Sequence, residues 1–117
     1  MAKVLIIDDD PVLTDMLASV LPAKGFEVSV AHSGLEGLKA VRQLEPDAII
    51  LELMMPGMSG WRICKEIRSF SQIPILVLSS VIDADGVMQA MEEGANDYLV
   101  KPAPVGVLVS HLSKLIK

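Results

Sequence analysis

Val4-Leu5-Ile6-Ile7-Asp8-Asp9-Asp10-Pro11 decides how the rest of the chain is read. Four apolar residues in an unbroken run suit a strand buried on both faces, the pattern of a parallel sheet covered by helices. Three aspartates end that run. Pro11 then suits a first helical turn, since its missing N–H has no helical partner there anyway. Asp10, just before it, suits the helix N-cap. This stretch therefore predicts a strand, an acidic turn and a helix.

Alternation of a short apolar run with a helical segment occurs five times in all. Leu13, Met16, Leu17, Val20 and Leu21 recur at helical spacing over residues 11 to 24, with Gly25 as the stop. Phe26, Val28 and Val30 alternate with Glu27 and Ser29, as in a strand nearer a sheet edge. Ser33 to Glu36 has the form of a capping box, and Leu38, Val41 and Leu44 extend that second helix. Ala48 to Leu51 predicts a third strand, and Met54 to Gly60 a loop marked by Pro56-Gly57 and Ser59-Gly60. Ile63, Ile67 and Phe70 mark a third helix and Ile75 to Leu78 a fourth strand. Val87, Ala90 and Met91 mark a fourth helix, closed by Gly94. Tyr98 to Val100 is a fifth strand, and Leu108, Leu112 and Leu115 carry a last helix expected to reach Lys117. Such alternation predicts an α/β fold, a doubly wound five-stranded parallel sheet of order 2-1-3-4-5 with helices on both faces. Its site belongs at the C-terminal strand ends, between strands 1 and 3.

Bulk properties narrow the function. The 117 residues suit one domain spanning 1–117, with no output domain expected in this chain. A net charge of −5 argues against nucleic acid as a direct partner, which would need clustered Lys and Arg. The lone Cys64 allows no internal disulfide, which suits a reducing compartment. The first apolar run is too short for a signal peptide or a membrane span. A cytoplasmic protein without membrane contact is the expectation.

At the predicted strand ends stand Asp8-Asp9-Asp10, Glu52, Ser79-Ser80 and Lys101-Pro102. Crowded carboxylates repel unless a cation intervenes. An all-oxygen acidic site suits Mg²⁺, and a metal, an ammonium and a hydroxyl donor are what phosphoryl transfer requires. Simpler readings exist for each part. The aspartates alone could be turn and cap chemistry. Tyr98 alone would be a packed sheet residue. Met54, Met55 and Met58 suit loop packing better than a soft metal site. Cys64 reads as inert, and His32 and His111 lack paired spacing. An FMN carrier would need a phosphate loop where the aspartates stand. A metal-dependent phosphatase of the Asp-x-Asp class fits the spacing of Asp8 and Asp10 but lacks a cap domain.

Four stretches, VLIIDDDP (4–11), PDAIILELMMPGMSG (46–60), PILVLSS (74–80) and GANDYLVKP (94–102), together resemble the signature stretches of response-regulator receiver domains of two-component phosphorelay signal transduction, in order and spacing. The resemblance implies a flavodoxin-like signalling switch, not an enzyme. It implies that Asp8 and Asp9 hold Mg²⁺, with the Met54 backbone carbonyl completing the metal site and Glu52 able to join it. It assigns Ser79 as the switch hydroxyl that contacts a phosphoryl group, Tyr98 as the switch aromatic and Lys101 as the partner of the phosphoryl oxygens. A cis peptide before Pro102 matches the family. The implied partners are a sensor histidine kinase or phosphotransfer protein, and an effector protein on the face of helix 4, strand 5 and helix 5. Val107 is expected to be solvent-facing there.

One position departs. The family has aspartate where this chain has Glu52. The extra methylene extends the carboxylate by about 1.5 Å, and a displacement of order 1 Å can cost about 10²-fold in rate. The expected function is therefore a phosphorylation-independent or phosphomimetic switch. The alternative is a receiver that still accepts a phosphoryl group.

Overall fold

The computed structural model describes residues 1–116. Five strands, β1 (Ala2–Ile7), β2 (Phe26–Ala31), β3 (Ala48–Leu51), β4 (Ile75–Ser79) and β5 (Asp97–Val100), alternate with helices α1 (Pro11–Val20), α2 (Gly34–Leu44), α3 (Gly60–Arg68), α4 (Ala84–Glu92) and α5 (Val105–Leu115). All strand pairs are parallel, in the order β2-β1-β3-β4-β5. The expected fold class and strand order are those observed.

Side-chain alternation along the strands separates two apolar layers. Leu5, Ile7, Ile49, Leu51, Ile75 and Val77 pack with Val41 of α2, Ile63 and Ile67 of α3 and Ala90 of α4. Val4, Ile6, Ile50, Leu76 and Leu78 pack on the opposite face with Leu17 of α1 and Leu108 and Leu112 of α5. The central strands are buried on both faces, which is why their sequences are continuous apolar runs.

Helix starts follow their capping chemistry. The Asp10 carboxylate accepts from Val12 N and Leu13 N, as its place before Pro11 predicts. Ser33 Oγ accepts from Glu36 N, but the Glu36 carboxylate accepts from His32 N instead of Ser33 N, so the capping box is reciprocal only to the neighbouring residue.

Several boundaries differ from expectation. The first helix stops at Val20, and Pro22–Lys24 forms a separate 3-10 turn. Pro22 has no N–H to continue the helical ladder. Met16, Leu44 and Met91, placed by spacing on apolar faces, are exposed, because each lies at the rim of its stripe. Phe70 falls two residues beyond α3, where its half-buried ring lies 3.8 Å below the Arg42 guanidinium. The last helix ends at Leu115, with Ile116 extended, and the expected extension to Lys117 lies outside the described residues.

Candidate functional site

Two backbone hydrogen bonds build the floor of the site. Asp8 N donates to Ala31 O at 3.0 Å and Glu52 N donates to Ile7 O at 3.0 Å. The sheet ladder thus continues one residue past β1 and β3, and Asp8 and Glu52 leave the sheet side by side. On the other flank Lys101 N donates to Ser79 O at 2.9 Å, which sets Lys101 beside the end of β4. The Lys101–Pro102 peptide is cis.

The charged groups then meet. Lys101 Nζ lies 2.8 Å from Asp8 Oδ2 and 3.7 Å from Glu52 Oε2. Asp8 Oδ1 also accepts from Asp10 N at 3.0 Å, so both oxygens of this buried carboxylate are engaged. Glu52 is only 6% exposed, and its Oε2 is buried without a hydrogen-bond partner. Burial pushes the Glu52 carboxyl above its ordinary range. The Lys101 ammonium opposes this most, followed by the Ser79 hydroxyl.

The β4–α4 connection is tied to the same site. Ser79, fully buried, accepts from Val81 N at 3.3 Å through its hydroxyl. The Tyr98 hydroxyl donates to the Val81 carbonyl at 2.6 Å. Burial raises the Tyr98 phenol, which stays protonated and able to donate.

A protein-family model described as response regulator receiver domain matches residues 4–113. The chain belongs to that family. The receiver domain is 41% identical over 110 residues to the DNA-binding response regulator MtrA of Mycolicibacterium smegmatis, covering 94% of this chain and 48% of that protein. It is 37% identical to the transcriptional regulatory protein AfsQ1 of Streptomyces coelicolor, covering 100% of this chain and 52% of that protein. The chain spans about half the length of these curated relatives. Among solved structures, the BeF3-activated receiver domain of Klebsiella pneumoniae RstA superposes with a TM-score of 0.93 at 29% identity, covering 98% of each chain. Vibrio cholerae chemotaxis protein CheY4 does so with a TM-score of 0.92 at 33% identity, covering 98% of each chain. Response regulators are signalling proteins, so the flavin and phosphatase readings are not favoured.

The receiver fold brings Asp8, Glu52, Ser79 and Lys101 to one crevice, and Tyr98 to the segment beside it. Asp9 is exposed, as is Met54, whose assigned group is its backbone carbonyl and not its side chain. Among the described residues no three His, Cys, Asp or Glu side chains form a group able to hold a metal. The donor chemistry nevertheless fits Mg²⁺, which needs only one or two carboxylates and keeps several waters. The unpartnered Glu52 Oε2 is an oxygen of that kind. Among the described residues no helix is long and apolar enough to cross a membrane.

Cys64 is buried, and burial pushes its thiol up to about 11, away from the thiolate form. His32 meets Thr14, and His111 meets Asp97. Gly60 was legible only as a loop marker. A Cβ there would lie 2.1 Å from the Glu52 carbonyl oxygen, so glycine alone lets α3 begin against the backbone of the site. The Val81 carbonyl, partner of Tyr98, carries no side-chain signal and could not have been found from sequence.

Proposed function

We propose that this chain is a signalling switch in which Glu52 occupies the position of the family's phospho-acceptor aspartate and makes the domain a phosphorylation-independent interaction module. The observation that carries this reading is the buried Glu52 carboxylate at the end of β3, its Oε2 facing Lys101 at 3.7 Å and accepting no hydrogen bond. A carboxylate that requires no phosphoryl transfer stands beside the ammonium that the family resemblance assigns to phosphoryl oxygens. A carboxylate carries one charge where a phosphoryl group carries close to two. A charge-assisted hydrogen bond gained as Lys101 or Ser79 closes on Glu52 would be worth about 2 kcal/mol, roughly a 30-fold shift. That biases the switch well short of the ~10⁴-fold needed for full reversal.

Asp8, Asp9 and Glu52, with the Met54 carbonyl, would hold Mg²⁺ weakly. When bound, the ion would neutralise the crowded carboxylates and any phosphoryl oxygens. Asp8 holds Lys101, Ser79 orients the β4–α4 segment, and Tyr98 fastens that segment to β5. The partners are a sensor histidine kinase or phosphotransfer protein, and an effector protein on the face of α4, β5 and α5. DNA binding appears in the description of MtrA. The −5 charge favours protein partners for this domain itself.

Intact mass after incubation with acetyl phosphate and Mg²⁺ tests the proposal. No stable gain is expected, whereas Glu52→Asp gains one phosphoryl group. A stable phosphoryl group on Glu52 itself would establish the phosphorylatable alternative instead.

A further inference from the structure

Gly60 and Trp61 open α3 directly against the site. Gly60 N donates to Leu53 O at 2.8 Å. A Cβ on Gly60 would fall 2.1 Å from the Glu52 carbonyl oxygen and 2.6 Å from Leu53 Cα. Backbone packed this closely moves together or not at all, because interiors are dense and tolerate no gap. The next residue reaches across to another helix. Trp61 Nε1 donates to the Gly86 carbonyl at 2.9 Å, in the first turn of α4. Gly86 in turn packs against the residue that receives Tyr98: a Cβ at Gly86 would lie 2.7 Å from Val81 Cγ1. Its N–H is held by the cap residue Asp83 at 2.9 Å.

We propose that Trp61 is a positioning residue whose indole N–H ties the start of α4 to the backbone of Glu52, a second route into α4 beside the one through Ser79, Val81 and Tyr98. The inference rests on Glu52 being the input of the switch. A half-buried indole N–H usually finds some acceptor. Here the acceptor is a carbonyl of the helix whose start borders Val81, and the donor follows a residue in backbone contact with Glu52. The two routes close a ring, Glu52–Gly60–Trp61–Gly86–Val81–Ser79, with Tyr98 attached at Val81, which is common to both. A change at position 52 therefore reaches α4 through rigid backbone as well as through the Ser79 hydroxyl.

The test compares amide NMR spectra of the full chain as wild type, Glu52→Gln, Trp61→Phe and the double variant. Trp61→Phe keeps an aromatic ring and deletes the donor. Trp61 is the single tryptophan, so its indole gives one unambiguous cross-peak. Glu52→Gln is expected to shift that cross-peak and the amides of Gly86 to Ala90. With Trp61→Phe, the α4 response to Glu52→Gln should fall about threefold or more, a coupling within the range that double-mutant cycles resolve. The response at Ser79 and Tyr98 should persist. An α4 response of equal size in both backgrounds overturns the tether, as does an unmoved indole cross-peak. If Ser79 and Tyr98 also fail to respond, Glu52 is not the input, and the proposed function falls together with the tether. Should Trp61→Phe fail to fold, the indole cross-peak of the other two proteins decides alone.

Discussion

Lys101 Nζ sits 2.8 Å from Asp8 Oδ2 but 3.7 Å from Glu52 Oε2, so this ammonium is committed to Asp8 first. Glu52 is left with a weaker, off-contact attraction that does not offset its burial.

That imbalance predicts a pH dependence. The folded-state carboxyl is raised above its unfolded value, so the folded chain binds this proton more tightly. Its stabilising contribution is complete below the ordinary carboxyl range and is lost as pH rises through the raised folded value. Glu52→Gln should therefore be the more stable protein at pH 8, by on the order of 1 kcal/mol, because it removes a buried charge without a full partner. Urea melts at a series of pH values should show the two curves converging towards pH 4.5, the carboxyl's ordinary value. A wild type that gains on Glu52→Gln as pH rises would contradict the assignment.

Two glycine substitutions should separate by sign. Gly60→Ala forces a methyl group within 2.1 Å of the Glu52 carbonyl oxygen and should cost about 2–3 kcal/mol. At Gly106, in the first turn of α5, nothing lies within 4 Å of an added Cβ, so Gly106→Ala should stabilise by up to about 1 kcal/mol. Equilibrium urea unfolding of the two variants measures both.

Mg²⁺ binding should depend on Asp9. Asp8 is occupied by Lys101, whereas Asp9 is exposed and free to turn towards an ion. Titration should change Trp61 fluorescence or raise the melting temperature of the wild type, with most of that response lost in Asp9→Ala. Equal responses in the two proteins would argue against a metal at these carboxylates.

Val107 is 41% exposed on α5, and Val100 on β5 is 46% exposed. Val107→Asp should leave stability within about 0.5 kcal/mol, as surface substitutions usually do. It should weaken capture of a partner that docks on the α4–β5–α5 face. A variant that folds and captures every partner as before would remove this face as the output surface. Sedimentation and partner capture, read side by side, distinguish these results.

What the sequence determined by itself was periodic or compositional. Continuous apolar runs at residues 4–7, 48–51 and 75–78 specified strands covered on both faces, and the alternation with helical spacing specified a parallel sheet. The acids, the hydroxyl and the ammonium at the strand ends were legible for the same reason, since they interrupt apolar runs at corresponding points. Tertiary structure alone decided how those groups pair. Asp8 and Lys101 are 93 residues apart, and their contact depends on sheet register and on which face each strand end presents. Neighbouring aspartates in sequence thus part company: Asp8 turns inward to the ammonium, and Asp9 turns out to water. The Tyr98–Val81 and Trp61–Gly86 bonds end on backbone carbonyls, which every residue carries, so only packing could select them. The unpartnered oxygen of Glu52 is likewise a consequence of burial and spacing, because a carboxylate's need for partners is chemical but their supply is geometric.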